Sequence, residues 1–211
     1  MTSSTTEINY DYVNGLNSSV EHKFNLITSK FPNVEAYDMI IDLGCGTAKL
    51  TNKIASKYPQ ALIYGLENSN AMIDYINKSC VIPDNVQIIK TNVIDKKFND
   101  ETAKIVYISS CCHEVKSFCG ENSIAILLKN IYDSLREDGK LIIRDFVKPL
   151  DDKQIVMTKN NFNDYVDKFN NEFHTKIIDN TCNMSTFYEF AIHTKYTENW
   201  NSEIKEHYAW I

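Results

Sequence analysis

Hydrophobic positions along the chain change their spacing in an orderly way. From Ser18 onward, Val20, Phe24, Ile27 and Phe31 recur at i, i+4, i+7 and i+11, which draws one apolar stripe along a helix that ends before Pro32. Residues 39–43 are a short apolar run holding one aspartate and stopped by glycines, the pattern of a buried parallel strand. Leu50, Ile54 and Tyr58 return to helical spacing ahead of Pro59. Residues 61–66 read as a second strand, and Met72, Ile73 and Ile76 as another helix. Strands three and four are predicted over 86–89 and 104–108. The best-defined helix carries Ile124, Leu127, Leu128, Ile131 and Leu135 and is expected to stop at Asp138-Gly139 as a C-cap. A fifth strand follows over 141–147.

Strands that alternate with helices of this length require parallel pairing through crossover connections. The expected fold class is therefore α/β: a Rossmann-like, doubly wound, mainly parallel sheet with helices on both faces. Its ligand should lie beyond the carboxyl ends of the strands, at the switch point. Three regions are expected: a mobile lead-in over 1–17, a core over 18–148, and a mainly helical C-terminal extension over 149–211. In the extension, 150–173 reads as a polar helix region with Phe162, Tyr165, Phe169 and Phe173. Over 186–196 a capping box at Thr186 and Glu189 competes with strand-like alternation from Tyr188 to Tyr196, and helix is favoured. The extension would be a substrate lid or the truncated end of the domain, the chain being then the front portion of a longer protein.

At 211 residues, 43% hydrophobic and 24% charged, the composition is ordinarily globular. No targeting signal or membrane-length apolar run is visible, so a cytoplasmic, membrane-free location is expected. Six irregularly spaced cysteines do not form a disulfide framework. A net charge of −6 does not favour nucleic acid as a partner.

The sharpest chemical feature is Asp42-Leu43-Gly44-Cys45-Gly46-Thr47-Ala48-Lys49, set between a strand and a helix. Glycines there allow a tight turn and close approach of backbone to ligand. A dinucleotide fingerprint would need a small residue where Lys49 stands. Asp42 puts a carboxylate where it would repel a phosphate and attract an ammonium. S-adenosylmethionine, with an ammonium and a sulfonium, fits this loop better than NAD. Glu67, about twenty positions later at a strand end, can accept both hydroxyls of a ribose.

Together, Asp42-x-Gly44-x-Gly46-x-Ala48 and Gly65-Leu66-Glu67-x-Ser69-x-x-Met72-Ile73 resemble the class I S-adenosylmethionine-dependent methyltransferase superfamily. The resemblance covers 38–147, about half the chain. It implies that Asp42, Gly44, Cys45 and Gly46 hold the methionine part of the cofactor, and that Glu67, with Asn68 and Met72 beside it, holds the ribose. The acidic residue that usually meets the adenine is replaced by Asn92, next to Val93, with Asp95 as the alternate. Ala48 stands where a third glycine is more frequent.

On the acceptor side, Ser109-Ser110-Cys111-Cys112-His113-Glu114 follows strand four. Ser109 and Ser110 would flank the transferring methyl, and His113 could act as a base oriented by Glu114 or another carboxylate. The alternative is that His113 only satisfies a helix start. The Asn/Asp-Pro-Pro-aromatic motif of the amino-base methylating members is missing here. Adjacent cysteines lack the usual gap for zinc, so no metal is expected. The expected function is methyl transfer to an unidentified small-molecule acceptor. The alternatives are a cofactor-binding, non-catalytic module that supports a partner subunit, and an RNA or protein methyltransferase.

Overall fold

The computed structural model describes residues 10–95, 98–120 and 122–145, together with 154–156, 181–183 and positions 167, 170 and 186. The chain divides into two compact units, Met1–Phe146 and Val147–Ile211.

The first unit holds a five-stranded sheet in the order β3-β2-β1-β4-β5. Its strands are β1 (Met39–Leu43), β2 (Leu62–Glu67), β3 (Val86–Lys90), β4 (Ala103–Ser109) and β5 (Leu135–Arg144), every neighbouring pair parallel. The helices are α1 (Tyr10–Ser18), α2 (Val20–Thr28), α3 (Lys49–Lys57), α4 (Asn70–Ser79), α5 (Cys112–Cys119) and α6 (Ser123–Ser134). Winding proceeds outward from β1 to β3 and then returns to β4 on the other side, so the switch point lies between β1 and β4.

Both faces of the sheet are covered, which is why β1 and β4 are almost wholly buried. One face packs Ile40, Ile63, Ile105 and Tyr107 against Ile27 of α2 and Leu50, Ile54 and Ala55 of α3. The other packs Ile41, Leu43, Leu66, Val106 and Ile108 against Leu127 and Ile131 of α6. The period-2 alternation of β1 puts Asp42 on the α3 face.

Two local expectations are corrected. The stretch read as an unpatterned lead-in is helical from Tyr10, with Val13 only 2% exposed and Asn17 hydrogen-bonded to the glycine loop; tertiary contact supplies what the weak apolar pattern does not. Gly139 does not cap α6, because the chain is already extended at Leu135 (φ −75°, ψ 136°). Gly139 lies within β5, where a Cβ would come 2.8 Å from the Ala103 carbonyl oxygen. Ion pairs of Asp138 with Lys104 and Arg136 draw this segment onto the sheet.

In the second unit, β6 (Gln154–Val156) and β7 (Thr181–Asn183) pair antiparallel, with Ile155 opposite Cys182. Residues 154–156 thus form a strand where a polar helix was expected, the adjacent β-branched Ile155 and Val156 favouring extended backbone. The aromatic residues Phe162, Tyr165, Phe169 and Phe173 and the 188–196 stretch lie outside the described residues. Among the described residues, no helix is long and apolar enough to cross a membrane.

Candidate functional site

The glycine loop leaves β1 and is tied at once to β2: the N–H groups of Gly44 and Cys45 both donate to the Leu66 carbonyl, at 3.0 and 2.9 Å. Gly44 (φ 79°) and Gly46 (φ 55°) occupy left-handed backbone, and so does Ala48 (φ 58°) at the start of α3. A Cβ at position 44 would fall 2.7 Å from Cys111 Sγ, so glycine is needed there for space as well as conformation. At Gly46 the nearest neighbour of such an atom is Leu16 of α1, at 3.6 Å. Thr47 Oγ1 donates to Asn17 Oδ1 at 2.9 Å, so α1 lies against the loop.

Glu67 closes the loop from the β2 side. Its Oε2 accepts from Gly46 N–H at 2.9 Å and its Oε1 from Ser69 N–H at 2.7 Å. The Asn68 backbone also acts on this carboxylate, whose remaining acceptor capacity fits a ribose hydroxyl. Burial pushes its carboxyl above the ordinary value, the backbone hydrogen bonds oppose this, and the Glu114 charge adds to it.

Asp42 sits deeper, 2% exposed, behind the loop. Its Oδ2 accepts from Thr51 Oγ1 at 2.6 Å. In the sheet it is flanked by Gly65 and Tyr107. The Tyr107 hydroxyl lies alongside without forming a well-aligned hydrogen bond. Burial lifts the Asp42 carboxyl from 3.8 to about 6; hydroxyl neighbours counter this and the Glu67 charge reinforces it. The two carboxylates therefore sense one another across the loop. Either would be relieved by a cation placed between them.

Other expected residues are placed as follows. Asn68 is exposed beside Glu67. Met72 is buried in the first turn of α4, its N–H directed to the capping Ser69 hydroxyl. Asn92 Oδ1 accepts from Ile94 N–H at 3.1 Å, so one lone pair is engaged in its own turn. Val93 is 7% exposed and packs in the core with Leu43 and Leu66, while Asp95 is exposed. Burial raises the Cys45 and Cys111 thiols and lifts Cys112 to about 11, so all three are neutral near pH 7.

At the β4 end, Ser109 Oγ is buried without a hydrogen-bond partner, and Ser110 is held at φ 61°. The carboxylate that orients His113 is Asp145 rather than Glu114: His113 Nδ1 lies 2.6 Å from Asp145 Oδ1, and its backbone N–H donates to Oδ2 at 3.3 Å. Both side chains are buried, 9% and 7% exposed. Glu114 instead faces Glu67 and Cys111 electrostatically. Sequence reasoning missed Asp145; the usable signal was its place one residue past β5, at the same sheet edge. It also missed Thr51 and Tyr107, whose proximity to Asp42 comes from helix docking and strand register. Among the described residues, no three His, Cys, Asp or Glu side chains are grouped to hold a metal ion.

A doubly wound parallel sheet, a glycine turn after the central strand and an acidic tip on its neighbour define a domain built for a nucleoside cofactor without a phosphate at the turn. Comparison with known proteins agrees. A family model described as a methyltransferase domain matches residues 40–139. The chain is 28% identical over 138 residues to malonyl-[acyl-carrier protein] O-methyltransferase of Priestia megaterium, covering 65% of this chain and 47% of that protein. It is 23% identical over 133 residues to caffeic acid 3-O-methyltransferase of Eucalyptus globulus, covering 63% and 39%. In fold it is similar to Haemonchus contortus phosphoethanolamine N-methyltransferase 2 in complex with S-adenosyl-L-methionine (TM-score 0.50, 15% identity), covering 82% of this chain and 36% of that one. The chain spans less than half the length of the curated relatives it matches. Over residues 40–139 the chain is similar to methyltransferase domains, and it shares the doubly wound fold of the S-adenosylmethionine-dependent methyltransferase it resembles.

Proposed function

We propose that the chain is a methyltransferase that moves the methyl group of S-adenosylmethionine to a small-molecule acceptor. The observation that supports this best is the pair Asp42 and Glu67, two carboxylates disfavoured by burial and coupled across a glycine loop. In this reading Glu67 takes the ribose hydroxyls, Gly44 and Gly46 leave room for the methionine part, and Asp42 attracts its ammonium from behind the loop. Asn92 offers its remaining lone pair to the adenine amino group.

When bound, the cofactor supplies a methyl group on a sulfonium, whose sulfur takes back the bonding electrons as the acceptor's lone pair captures the carbon. The chain's main task is then alignment, which by itself can supply on the order of 7–11 kcal/mol. Asp145 orients the His113 imidazole, which in this reading acts as the base for an acceptor group that is protonated at working pH. The chain is acidic overall, which supports a small acceptor over a nucleic acid.

The test is thermal stability with S-adenosylmethionine, S-adenosylhomocysteine and NAD in turn, followed by a methyl-label screen against metabolites and RNA. Stabilisation by the first two alone and label transfer to a metabolite are expected. Equal stabilisation by NAD would overturn the cofactor assignment. Cofactor binding with no transfer to any acceptor would make the chain a supporting module.

A further inference from the structure

The sheet edge at β4 and β5 carries a charge that the cofactor reading leaves unused. The chain has only two arginines, Arg136 and Arg144. Arg136 is saturated, paired with Asp38 at 2.8 Å and with Asp138 at 3.1 Å. Arg144, the last residue of β5, donates one hydrogen bond, from Nη1 to Ser110 Oγ at 2.7 Å. No carboxylate among the described residues pairs with it. A guanidinium has five N–H donors in a planar fork suited to a carboxylate or phosphate, so most of this fork is open.

The surrounding backbone is shaped to keep it there. Ser110 N–H donates to the Arg144 carbonyl at 2.7 Å, which locks the two residues together at both ends. Ser110 is held at φ 61°, a left-handed conformation that is unfavourable for a non-glycine residue. Ser109, paired with Arg144 in register, has its buried hydroxyl without a partner. Cys111, which follows Ser110, packs on Gly44 of the glycine loop, and the His113–Asp145 pair lies two residues further on. Asp42, Glu67 and Glu114 influence one another on the glycine-loop side; on the β5 side Asp145 is paired with His113, and Arg144 keeps most of its donors open.

We propose that Arg144 anchors an oxyanion of the methyl acceptor, a carboxylate or a phosphate, with the Ser109 and Ser110 hydroxyls beside it. This rests on the methyl-transfer reading and narrows it to anionic acceptors. The carboxylates on the loop side disfavour the acceptor's anionic end there, while Asp145 is already paired with His113, so the favoured orientation sets the anion toward Arg144 and the nucleophile toward the methyl.

The experiment uses the full chain saturated with S-adenosylhomocysteine, titrated at constant ionic strength with glutarate, inorganic phosphate and neutral glutaramide. Glutarate or phosphate should bind and glutaramide should not; whichever of the two oxyanions binds names the group. Arg144→Gln keeps a donor for Ser110 but removes the charge, and should weaken oxyanion binding about tenfold or more while S-adenosylhomocysteine still binds. As a readout free of mutation, phenylglyoxal labelling of the unmodified chain should be blocked by the oxyanion at Arg144 and not at Arg136. An oxyanion response that survives in Arg144→Gln, unprotected Arg144, or binding of S-adenosylhomocysteine with no response to either oxyanion would each overturn the inference. Failure of S-adenosylhomocysteine to bind at all would instead remove the methyl-transfer reading beneath it.

Discussion

Replacing Asp42 by asparagine should stabilise the cofactor-free protein at neutral pH while weakening its grip on the cofactor. The carboxyl is buried and lifted from 3.8 to about 6, and each unit corresponds to about 1.4 kcal/mol, so ionised Asp42 costs the fold about 3 kcal/mol. The direction follows from proton counting. Between the two values the native state holds a proton that the unfolded chain has lost, so this group's contribution to stability falls as pH rises through that window. It is flat above about pH 6. The substituted amide is neutral throughout and keeps an oxygen for the Thr51 hydroxyl. Tyr107, whose hydroxyl lies alongside Asp42, can accept from its nitrogen. Urea denaturation of the cofactor-free protein should therefore show the variant more stable by about 2–3 kcal/mol near pH 8, the gap closing near pH 4. Titration with S-adenosylhomocysteine should show the reverse for binding. In the wild type, affinity rises as pH climbs through about 6, because a cationic ligand favours the ionised carboxyl; the variant loses that rise. A variant less stable near pH 8, a stability difference independent of pH, or identical binding profiles would each refute the electrostatic account.

Three further outcomes follow from the same geometry. Ala48→Gly relieves a left-handed alanine at φ 58° and should raise stability by about 1 kcal/mol, read as an increased urea midpoint at unchanged slope; no gain would mean the position is not strained. Gly44→Ala brings a Cβ within 2.7 Å of Cys111 Sγ and should cost about 2–4 kcal/mol and abolish cofactor stabilisation, with partial recovery in the Gly44→Ala, Cys111→Ala double variant. Asp145→Asn should leave S-adenosylhomocysteine affinity in place but lower kcat on the order of a hundredfold and shift the pH–rate profile; a changed KM with an unchanged profile would reduce Asp145 to a structural partner.

How much of this was legible in the sequence depended on whether a feature is local. The strand–helix alternation, the buried runs of β1 and β4 and the glycine turn are written in consecutive residues, and they placed the sheet and the loop correctly. The place of Glu67 beside the loop was readable because it depends only on its distance from the loop along one crossover. Asp145 and Arg144 were not readable, because their meaning comes from β5 lying beside β4, which joins them to His113 and Ser110 across 32 and 34 positions. The end of α6 was misjudged for a related reason. Asp138-Gly139 has the local chemistry of a helix stop, but ion pairs with Lys104 and Arg136 claim Asp138 for the sheet. In α1, one buried valine and one asparagine contact hold a helix that apolar periodicity does not announce.

Several locally unfavourable features of the first unit gather on one edge. Asp42 and Glu67 are held ionised at a cost, Ala48 and Ser110 adopt left-handed backbone, and Ser109 buries an unpartnered hydroxyl. The body of the sheet follows local preference, with buried strands, helices on both faces and ion pairs at the rim. A fold shaped by stability alone would replace these groups singly, since each has a simple remedy in glycine, asparagine or alanine. Their joint persistence at the carboxyl edge makes sense if a ligand removes the costs together. A cation between the two carboxylates relieves their desolvation and mutual repulsion, and an oxyanion on Arg144 can also take the Ser109 hydroxyl. Binding of the two ligands should therefore be cooperative, because each fixes the Ser110–Cys111 corner that packs against the other's site.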